Sequence, residues 1–227
     1  MSLGDNYHRV LESIAAACAK SGRAAGDVHL IAVSKTHPVA AVDAIAALGQ
    51  VDFAENRIAE LADKKQSAAA KGIRWHLIGQ LQTNKVKLLD ADVLLHSLDR
   101  ISLADKLDQR FAALGQKVQA LIQVNCSREP NKSGVALADF DALVDRLAAA
   151  KNIEIKGLMT MAENSTDEKT IRSAFAELRE LSHKLAARQI FTGYTGVLSM
   201  GMSGDFEYAI AEGATHVRIG SAIFGSR

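Results

Sequence analysis

The chain repeats one unit of hydrophobic patterning. Each unit has a short β-branched apolar run, a polar or glycine-containing stretch, and an alanine-rich segment with apolar residues three and four positions apart. Near-continuous apolar runs of this length are typical of parallel strands covered by helices. Eight runs are predicted to be strands: residues 28–34, 51–54, 73–79, 93–96, 118–125, 153–159, 196–200 and 216–220.

Helical spacing fills most of the segments between these strands, at residues 39–48, 56–70, 102–114, 138–149, 166–187 and 206–212. Eight strands alternating with helices predict an α/β fold, a single closed (β/α)8 TIM barrel. An open doubly wound sheet fits the same alternation. Only seven residues follow Gly220, too few for an eighth full helix, whereas residues 5–20 are helix-like. We predict that this N-terminal helix replaces the eighth barrel helix.

Composition narrows the function classes. No linker of Pro, Gly or Ser interrupts residues 1–227, which favours one domain. The 27 Lys and Arg nearly balance the 26 Asp and Glu, so a nucleic-acid partner is not expected. The apolar stretch at 14–19 is too short for a membrane span or a signal peptide, which predicts a cytoplasmic protein without a membrane partner. Cys18 and Cys126 indicate neither a disulfide framework nor a metal site.

Polar residues after each strand are the candidates for chemistry, because a parallel barrel binds its ligands at the carboxyl ends of its strands. Lys35 follows the first strand, where an amine can attack a carbonyl to form a Schiff base. A solvated surface lysine is the commoner case. Glycines and hydroxyls at 198–205 and 217–221 suit phosphate capture by two loops, although ordinary glycine turns fit them too.

Arg218 lies inside an apolar strand, and alternation places its side chain on the face opposite Val217 and Ile219. A buried guanidinium needs acceptors, so either a ligand or a strand-end carboxylate such as Glu55 would pair with it. Asn56 could orient a ligand or cap a helix. No second metal ligand stands at suitable spacing beside the strand histidine at position 76.

Seven ordered motifs carry a resemblance that covers essentially the whole chain. They are Ala-Val-Ser-Lys-Thr at 32–36, Phe-Ala-Glu-Asn at 53–56, Trp-His-Leu-Ile-Gly-Gln-Leu-Gln-Thr-Asn-Lys at 75–85, Lys-Ser-Gly at 132–134, Gly-Leu-Met-Thr at 157–160, Leu-Ser-Met-Gly-Met-Ser-Gly-Asp at 198–205 and Val-Arg-Ile-Gly-Ser-Ala-Ile-Phe-Gly at 217–225. Together they resemble the pyridoxal phosphate homeostasis protein family. The resemblance implies a single barrel like the N-terminal domain of alanine racemase, binding pyridoxal 5′-phosphate without an established catalytic activity.

The resemblance also implies a set of cofactor-binding residues: Lys35, Asn56, His76, Ser199, Met200, Arg218, Gly220 and Ser221. In the family the lysine forms the internal aldimine, and the pairs at 199–200 and 220–221 match the phosphate-holding loops. The arginine matches the partner of the pyridine nitrogen, while Asn56 and His76 match residues that line the cofactor face. An arginine donating to an unprotonated ring nitrogen weakens the ring as an electron sink, so weak chemistry is expected.

One position departs from the family pattern. Ala54 stands where the family usually has glycine, in the motif Phe-Gly-Glu-Asn. If that glycine permits a close approach or a positive φ, the extra methyl group would shift Asn56.

Three functions are consistent with these residues. The favoured one is a carrier or buffer in intracellular pyridoxal phosphate homeostasis, whose partners are the cofactor and the apo-enzymes that use it, with a monomer favoured. The alternative is an amino-acid racemase or related isomerase. Racemases of this type resemble a two-domain plan with a tyrosine acid/base, whereas this chain ends soon after its eighth strand and has only Tyr7, Tyr194 and Tyr208. A sugar-phosphate aldolase using Lys35 would leave Arg218 unexplained.

Overall fold

A computed structural model describes residues 2–127, 132–163 and 165–225. Its strands are all parallel and close into a barrel in chain order. They are β1 (His29–Val33), β2 (Asp52–Glu55), β3 (Arg74–Leu77), β4 (Leu94–Leu98), β5 (Val118–Gln123), β6 (Ile153–Met159), β7 (Val197–Ser199) and β8 (His216–Ile219). Because β8 pairs with β1, the sheet closes on itself, which confirms the predicted barrel and excludes the open sheet.

The helices lie outside the strands. They are α1 (Leu3–Lys20), α2 (Val39–Ala46), α3 (Ile58–Ser67), α4 (Ile101–Ala113), α5 (Phe140–Ala148), α6 (Glu168–Arg188), α7 (Phe206–Ala211) and α8 (Ser221–Phe224). A 3-10 helix at Thr83–Leu88 connects β3 to β4, and shorter 3-10 turns precede β1 and α5. None of the helices in the described part of the chain is long and apolar enough to cross a membrane.

The N-terminal helix α1 begins at a capping box. The Ser2 hydroxyl accepts from the Asp5 N–H at 3.1 Å, and the Asp5 carboxylate accepts from the Ser2 N–H at 2.9 Å. One face of α1 is buried and packs against α2, α7 and α8. The Asn6 amide also donates to the carbonyl of Ile223 in α8. Since α8 has only four residues, α1 takes the place of the eighth barrel helix, as predicted.

Apolar side chains form two separate layers. The larger layer fills the space between the strands and the helices. The smaller one lies inside the barrel, where Ile31, Val33 and Ala54 pack with the partly buried Ile78. Arg218 pairs in register with Ile31 and is also buried, so the interior combines this apolar cluster with polar groups. That mixture sets the chemistry available beneath the barrel mouth.

Candidate functional site

A cavity of about 470 Å³ opens at the carboxyl ends of the strands. Five of the eight predicted binding residues line this cavity, and they are Lys35, Asn56, Arg218, Gly220 and Ser221. Met159 and Met161 contribute apolar surface to it. The barrel therefore brings an amine, a guanidinium and a hydroxyl to one cavity from strands far apart in the sequence.

Lys35 follows β1 in a turn that is held from both sides. The next residue, Thr36, has φ 68°, a left-handed conformation that costs a β-branched residue roughly 1–3 kcal/mol. The N–H of Thr36 donates to Oε1 of Glu60 at 2.6 Å. The preceding residue, Ser34, is fully buried, and its hydroxyl donates to Glu55 at 2.6 Å. These contacts fix the backbone that presents the Lys35 amine.

A buried lysine joins the groups on the two sides of this turn. Nζ of Lys64 donates to the Ser34 carbonyl at 2.7 Å, to Glu55 at 2.6 Å and to Glu60 at 2.9 Å. Burial raises the pKa of the Glu55 carboxyl, and the hydrogen bonds from Lys64 and Ser34 oppose that rise only in part. Glu55 thus pairs with Lys64, so the strand-end carboxylate considered for Arg218 already has another partner.

Arg218 is 3% exposed and reaches the cavity from inside the barrel. Its Nη1 donates to Oγ of Ser199 at 2.7 Å, and its Nη2 donates to the Thr160 carbonyl at 2.9 Å. Burial lowers the pKa of Arg218 to about 10, against the opposing charge of Asp205. The guanidinium therefore keeps its proton at neutral pH and stays a donor.

The loops after β7 and β8 meet at the cavity. Met202, Ser203 and Gly204 come from the first loop, and Gly220 and Ser221 come from the second. The Ser221 hydroxyl donates to the Ser203 hydroxyl at 3.2 Å, which joins the two loops. Two hydroxyls beside glycine backbone form a surface suited to a phosphate group.

Contact of Ser199 and Met200 with a cofactor phosphate stays a prediction. Both are fully buried, and neither lines the cavity. Ser199 points into the barrel beneath Arg218, whereas Met200 packs in the outer apolar layer, because adjacent residues of an extended chain point to opposite sides. The loop after β7 lines the cavity at Met202, Ser203 and Gly204. The motif Ser-Met-Gly-Met-Ser at 199–203 has a serine and a methionine on each side of its glycine. The pair that follows the glycine, Met202 and Ser203, is the pair that lines the cavity.

His76 also lies below the cavity and is not among the residues that line it. Its Nδ1 is 2.9 Å from Nε2 of His96, and its Nε2 is 3.0 Å from Oδ1 of Asp52. Contact between the His76 ring and a bound cofactor stays a prediction. The ring connects instead to the Arg218 side of the cavity, through His96 and Ser199.

Two amide side chains along the cavity wall were not among the predicted binding residues. The Gln80 amide donates to Oε1 of Gln123 at 3.1 Å, and the Gln123 amide donates to the Ser133 carbonyl at 3.1 Å. All three residues line the cavity. Gln123 ends β5 and Gln80 follows β3 closely, so their positions at strand ends were the available signal.

Ala54 fits its strand without backbone strain. It lies within β2 and is fully buried in the interior cluster. Thr36 and Gln189 are the non-glycine residues with positive φ among the described residues, so Ala54 carries no such strain. The close approach occurs at Gly79, where an added Cβ would lie 2.1 Å from the Asn56 carbonyl oxygen. Gly79 is therefore the glycine on which the Asn56 backbone depends.

Comparison with known proteins agrees with this arrangement. Residues 11–227 match the sequence profile of the alanine racemase N-terminal domain. A pyridoxal phosphate homeostasis protein of Pseudomonas aeruginosa is 38% identical over 227 residues, which cover 100% of this chain and 96% of the relative. The chain belongs to the pyridoxal phosphate homeostasis protein family.

The fold of the chain is also similar to solved structures. The structure of PipY from Synechococcus elongatus with PLP bound has a TM-score of 0.82 and 35% identity, and the match covers 93% of this chain and 100% of PipY. Alanine racemase from Corynebacterium glutamicum has a TM-score of 0.69 and 20% identity, and the match covers 96% of this chain and 61% of the racemase. The racemase match shows the shared barrel fold alone.

Proposed function

We propose that the protein binds pyridoxal 5′-phosphate in the barrel-mouth cavity and serves in pyridoxal phosphate homeostasis as an intracellular carrier or buffer. One observation carries the proposal. Lys35, Arg218 and the hydroxyls of Ser203 and Ser221 face a single cavity in a chain 35% identical to PipY, whose structure holds PLP. An amine, a guanidinium and two loops suited to a phosphate lie together in this cavity. This combination fits pyridoxal 5′-phosphate better than it fits a phosphate-bearing ligand without an aldehyde and a ring nitrogen.

The residues present fit the chemical groups of the cofactor, which supplies an aldehyde, a phosphate and a pyridine ring. The volume of about 470 Å³ is within the usual range for small-molecule pockets. A Cβ at Gly220 would lie 3.0 Å from the Val33 carbonyl oxygen, so the glycine keeps the loop backbone close against β1. Ser203 and Ser221 offer hydroxyl donors beside that backbone. The aldehyde would meet the Lys35 amine.

The proposed roles follow from the state of each side chain. Lys35 attaches the cofactor covalently, and the two hydroxyl-bearing loops hold its phosphate. Arg218 remains a charged donor, so it suits a ring nitrogen that accepts a hydrogen bond and carries no proton of its own. A ring held in this way withdraws electrons weakly, which favours storage of the cofactor over turnover.

The racemase alternative needs a second proton carrier opposite the lysine. The Tyr7 hydroxyl donates to Gln50 at 3.2 Å, and the Tyr194 hydroxyl is 2.7 Å from the Ser182 hydroxyl. Neither tyrosine, nor Tyr208, lines the cavity. This arrangement supports a binding role. Incubation of the loaded protein with single amino-acid enantiomers tests it, and racemisation above the rate with free cofactor would favour the enzyme.

The decisive experiment is an absorbance spectrum of the protein after incubation with pyridoxal phosphate, followed by borohydride reduction and peptide mass mapping. We expect a reduced adduct on Lys35, its loss in Lys35→Ala, and its retention in Lys85→Ala. Lys85 is an exposed lysine of the 3-10 helix after β3 and serves as the matched control. No adduct in the unmodified protein would refute covalent attachment, and no saturable binding at all would refute the proposed function.

A carrier must also release the cofactor to another protein. We therefore propose that apo-enzymes which use pyridoxal phosphate are its recipients. Loaded protein mixed with such an apo-enzyme, in the presence of a scavenger of free cofactor, should activate the enzyme. Activation abolished by the scavenger would leave a buffering role without direct transfer.

A further inference from the structure

A continuous line of hydrogen bonds crosses the barrel interior beneath the cavity. It runs from Nη1 of Arg218 to Oγ of Ser199 (2.7 Å), and from there to Nδ1 of His96 (3.0 Å). Nε2 of His96 is 2.9 Å from Nδ1 of His76, and Nε2 of His76 is 3.0 Å from Oδ1 of Asp52. The line thus joins β8 and β7 to β4, β3 and β2 across the barrel.

The two ends of this line lie at opposite ends of the barrel. Arg218 lines the mouth cavity, whereas Asp52 is the first residue of β2. Asp52 lines a second cavity, of about 250 Å³, together with the first residues of β1, β3 and β8. Arg74, whose side chain is 63% exposed there, donates Nε to the same Asp52 carboxylate at 2.7 Å. A group near solvent at the amino ends of the strands is therefore connected to a group that faces the proposed ligand.

The chemistry of the two ends sets the direction of every bond between them. A guanidinium only donates, so the Ser199 oxygen accepts from Arg218, and its own proton is free to donate to His96. A carboxylate only accepts, so His76 must donate to Asp52 through Nε2. A neutral imidazole has one donor and one acceptor. With both rings neutral, His96 then donates through Nε2 to Nδ1 of His76, and each hydrogen bond is satisfied in one direction.

Burial favours a neutral His96 ring and a single arrangement of these hydrogen bonds. His96 and Ser199 are fully buried, and Asp52, His76 and Arg218 are each 5% exposed or less. Burial lowers the pKa of His96 well below its usual range, and the nearby positive charge of Arg218 acts in the same direction. In so dry a setting, a reversed or broken hydrogen bond would leave a buried polar atom without a partner.

We propose that Asp52, His76, His96 and Ser199 form a positioning relay, which orients and polarises the Arg218 guanidinium from the far end of the barrel. The relay deepens the proposed function and rests on it where the effect is read at the bound cofactor. Its hydrogen bonds, however, belong to the protein alone and are present without any ligand. In this role Asp52, His76 and His96 act through Arg218 as positioning residues.

The first test observes the relay in the protein without cofactor. Nitrogen-15 NMR of the histidine rings distinguishes Nδ1–H, Nε2–H and doubly protonated imidazole. We expect His76 and His96 to be neutral at neutral pH, each with its proton on Nε2, and Ser199→Ala to perturb the Nδ1 signal of His96. A proton on Nδ1 of either ring, including a doubly protonated His76, would overturn the assigned direction.

The second test reads the relay at the cofactor with matched variants. Ser199→Ala removes the link next to Arg218, and Asp52→Asn removes the charge at the far end, whereas Arg74→Met removes the other partner of Asp52 and leaves the relay intact. We expect the first two variants to shift the absorbance maximum of bound pyridoxal phosphate in the same direction. They should also raise its Kd about tenfold, the factor that corresponds to about 1.4 kcal/mol. Arg74→Met should leave both unchanged.

The outcomes separate the relay from the proposed function. An unchanged spectrum in Ser199→Ala, or an equal shift in Arg74→Met and Asp52→Asn, would overturn the relay. If Asp52→Asn fails to fold, Ser199→Ala and the ring tautomers of the unmodified protein still decide. If the unmodified protein binds no pyridoxal phosphate, the proposed function fails, while NMR of the ligand-free protein still tests the hydrogen bonds.

Discussion

Nζ of Lys64 lies 2.6 Å from Oε1 of Glu55, and the two side chains are 8% and 0% exposed. The pair lies beside the turn that presents Lys35, and Lys64 also donates to the Ser34 carbonyl in that turn. A buried ion pair of this kind adds little net stability over an apolar pair, but loss of one partner is expensive because the other charge stays buried. Its main consequence is therefore the fixed backbone on either side of Lys35.

Replacement of Lys64 should destabilise the protein strongly. Lys64→Met leaves Glu55 without its ammonium partner, and we expect the free energy of unfolding to fall by about 3 kcal/mol, measured by urea denaturation. Lys65→Met is the matched control, since Lys65 pairs with the exposed carboxylates of Asp90 and Asp92. That control should lose less than about 1 kcal/mol. Equal losses in the two variants would show that the buried pair has no special role.

The hydrophobic pattern was sufficient to predict the barrel, because each buried strand and its helix carry a local signal. It also predicted Lys35 and Arg218 as cavity residues, since position at or within a strand determines which end or face they reach. The exact end of a strand depends on pairing with its neighbours. β7 ends at Ser199, opposite His216, so Ser199 stays below the mouth and Ser203 reaches it.

Hydrogen bonds between side chains of distant strands could not be predicted from local sequence patterns. The contact between His76 and His96 links side chains 20 residues apart, and the contact between His96 and Ser199 links side chains 103 residues apart. Each histidine by itself is an ordinary buried residue of a strand. Only the closed barrel, which places their strands around one interior, shows that the two rings connect to Arg218.

Gly79→Ala should disturb the cavity through the backbone of Asn56. The new Cβ would lie 2.1 Å from the Asn56 carbonyl oxygen, an overlap that only a backbone shift can relieve. We expect a loss of about 1–3 kcal/mol in unfolding free energy, together with weaker cofactor binding. Gly26→Ala is the control, because nothing lies within 4 Å of its added Cβ. Unchanged cofactor binding in Gly79→Ala would show that the position of Asn56 is not critical.

Ala54→Gly should lower stability and, unlike Gly79→Ala, leave cofactor binding unchanged. The methyl group of Ala54 packs in the barrel interior with Ile31, Val33 and Ile78, and its strand conformation does not require glycine. Glycine in a strand interior costs roughly 0.5–1 kcal/mol of backbone entropy, in addition to the lost packing. Urea denaturation and cofactor titration measure the two effects. Tighter cofactor binding in Ala54→Gly would mean that the methyl group does shift Asn56.

Acidification below about pH 6.5 should destabilise the protein through two of its histidines. Burial lowers the pKa of His216 to about 3 from its ordinary 6.5, and holds the pKa of His96 well below its usual range. Below about pH 6.5 these two histidines are protonated in the unfolded chain but stay neutral in the folded chain. The free energy of unfolding therefore falls as the pH falls. The expected slope is about 1.4 kcal/mol per pH unit for each ring, until the pH reaches the folded pKa.

Urea denaturation at several pH values between about 7 and 5 measures this slope. His216→Gln should reduce this slope by the contribution of one histidine, because glutamine does not bind a proton in the folded or the unfolded chain. His183→Gln, at an exposed position of α6, should leave the slope unchanged, because this substitution keeps both His216 and His96. A slope equal to that of the unmodified protein in His216→Gln would mean that the ring takes up its proton in the folded state.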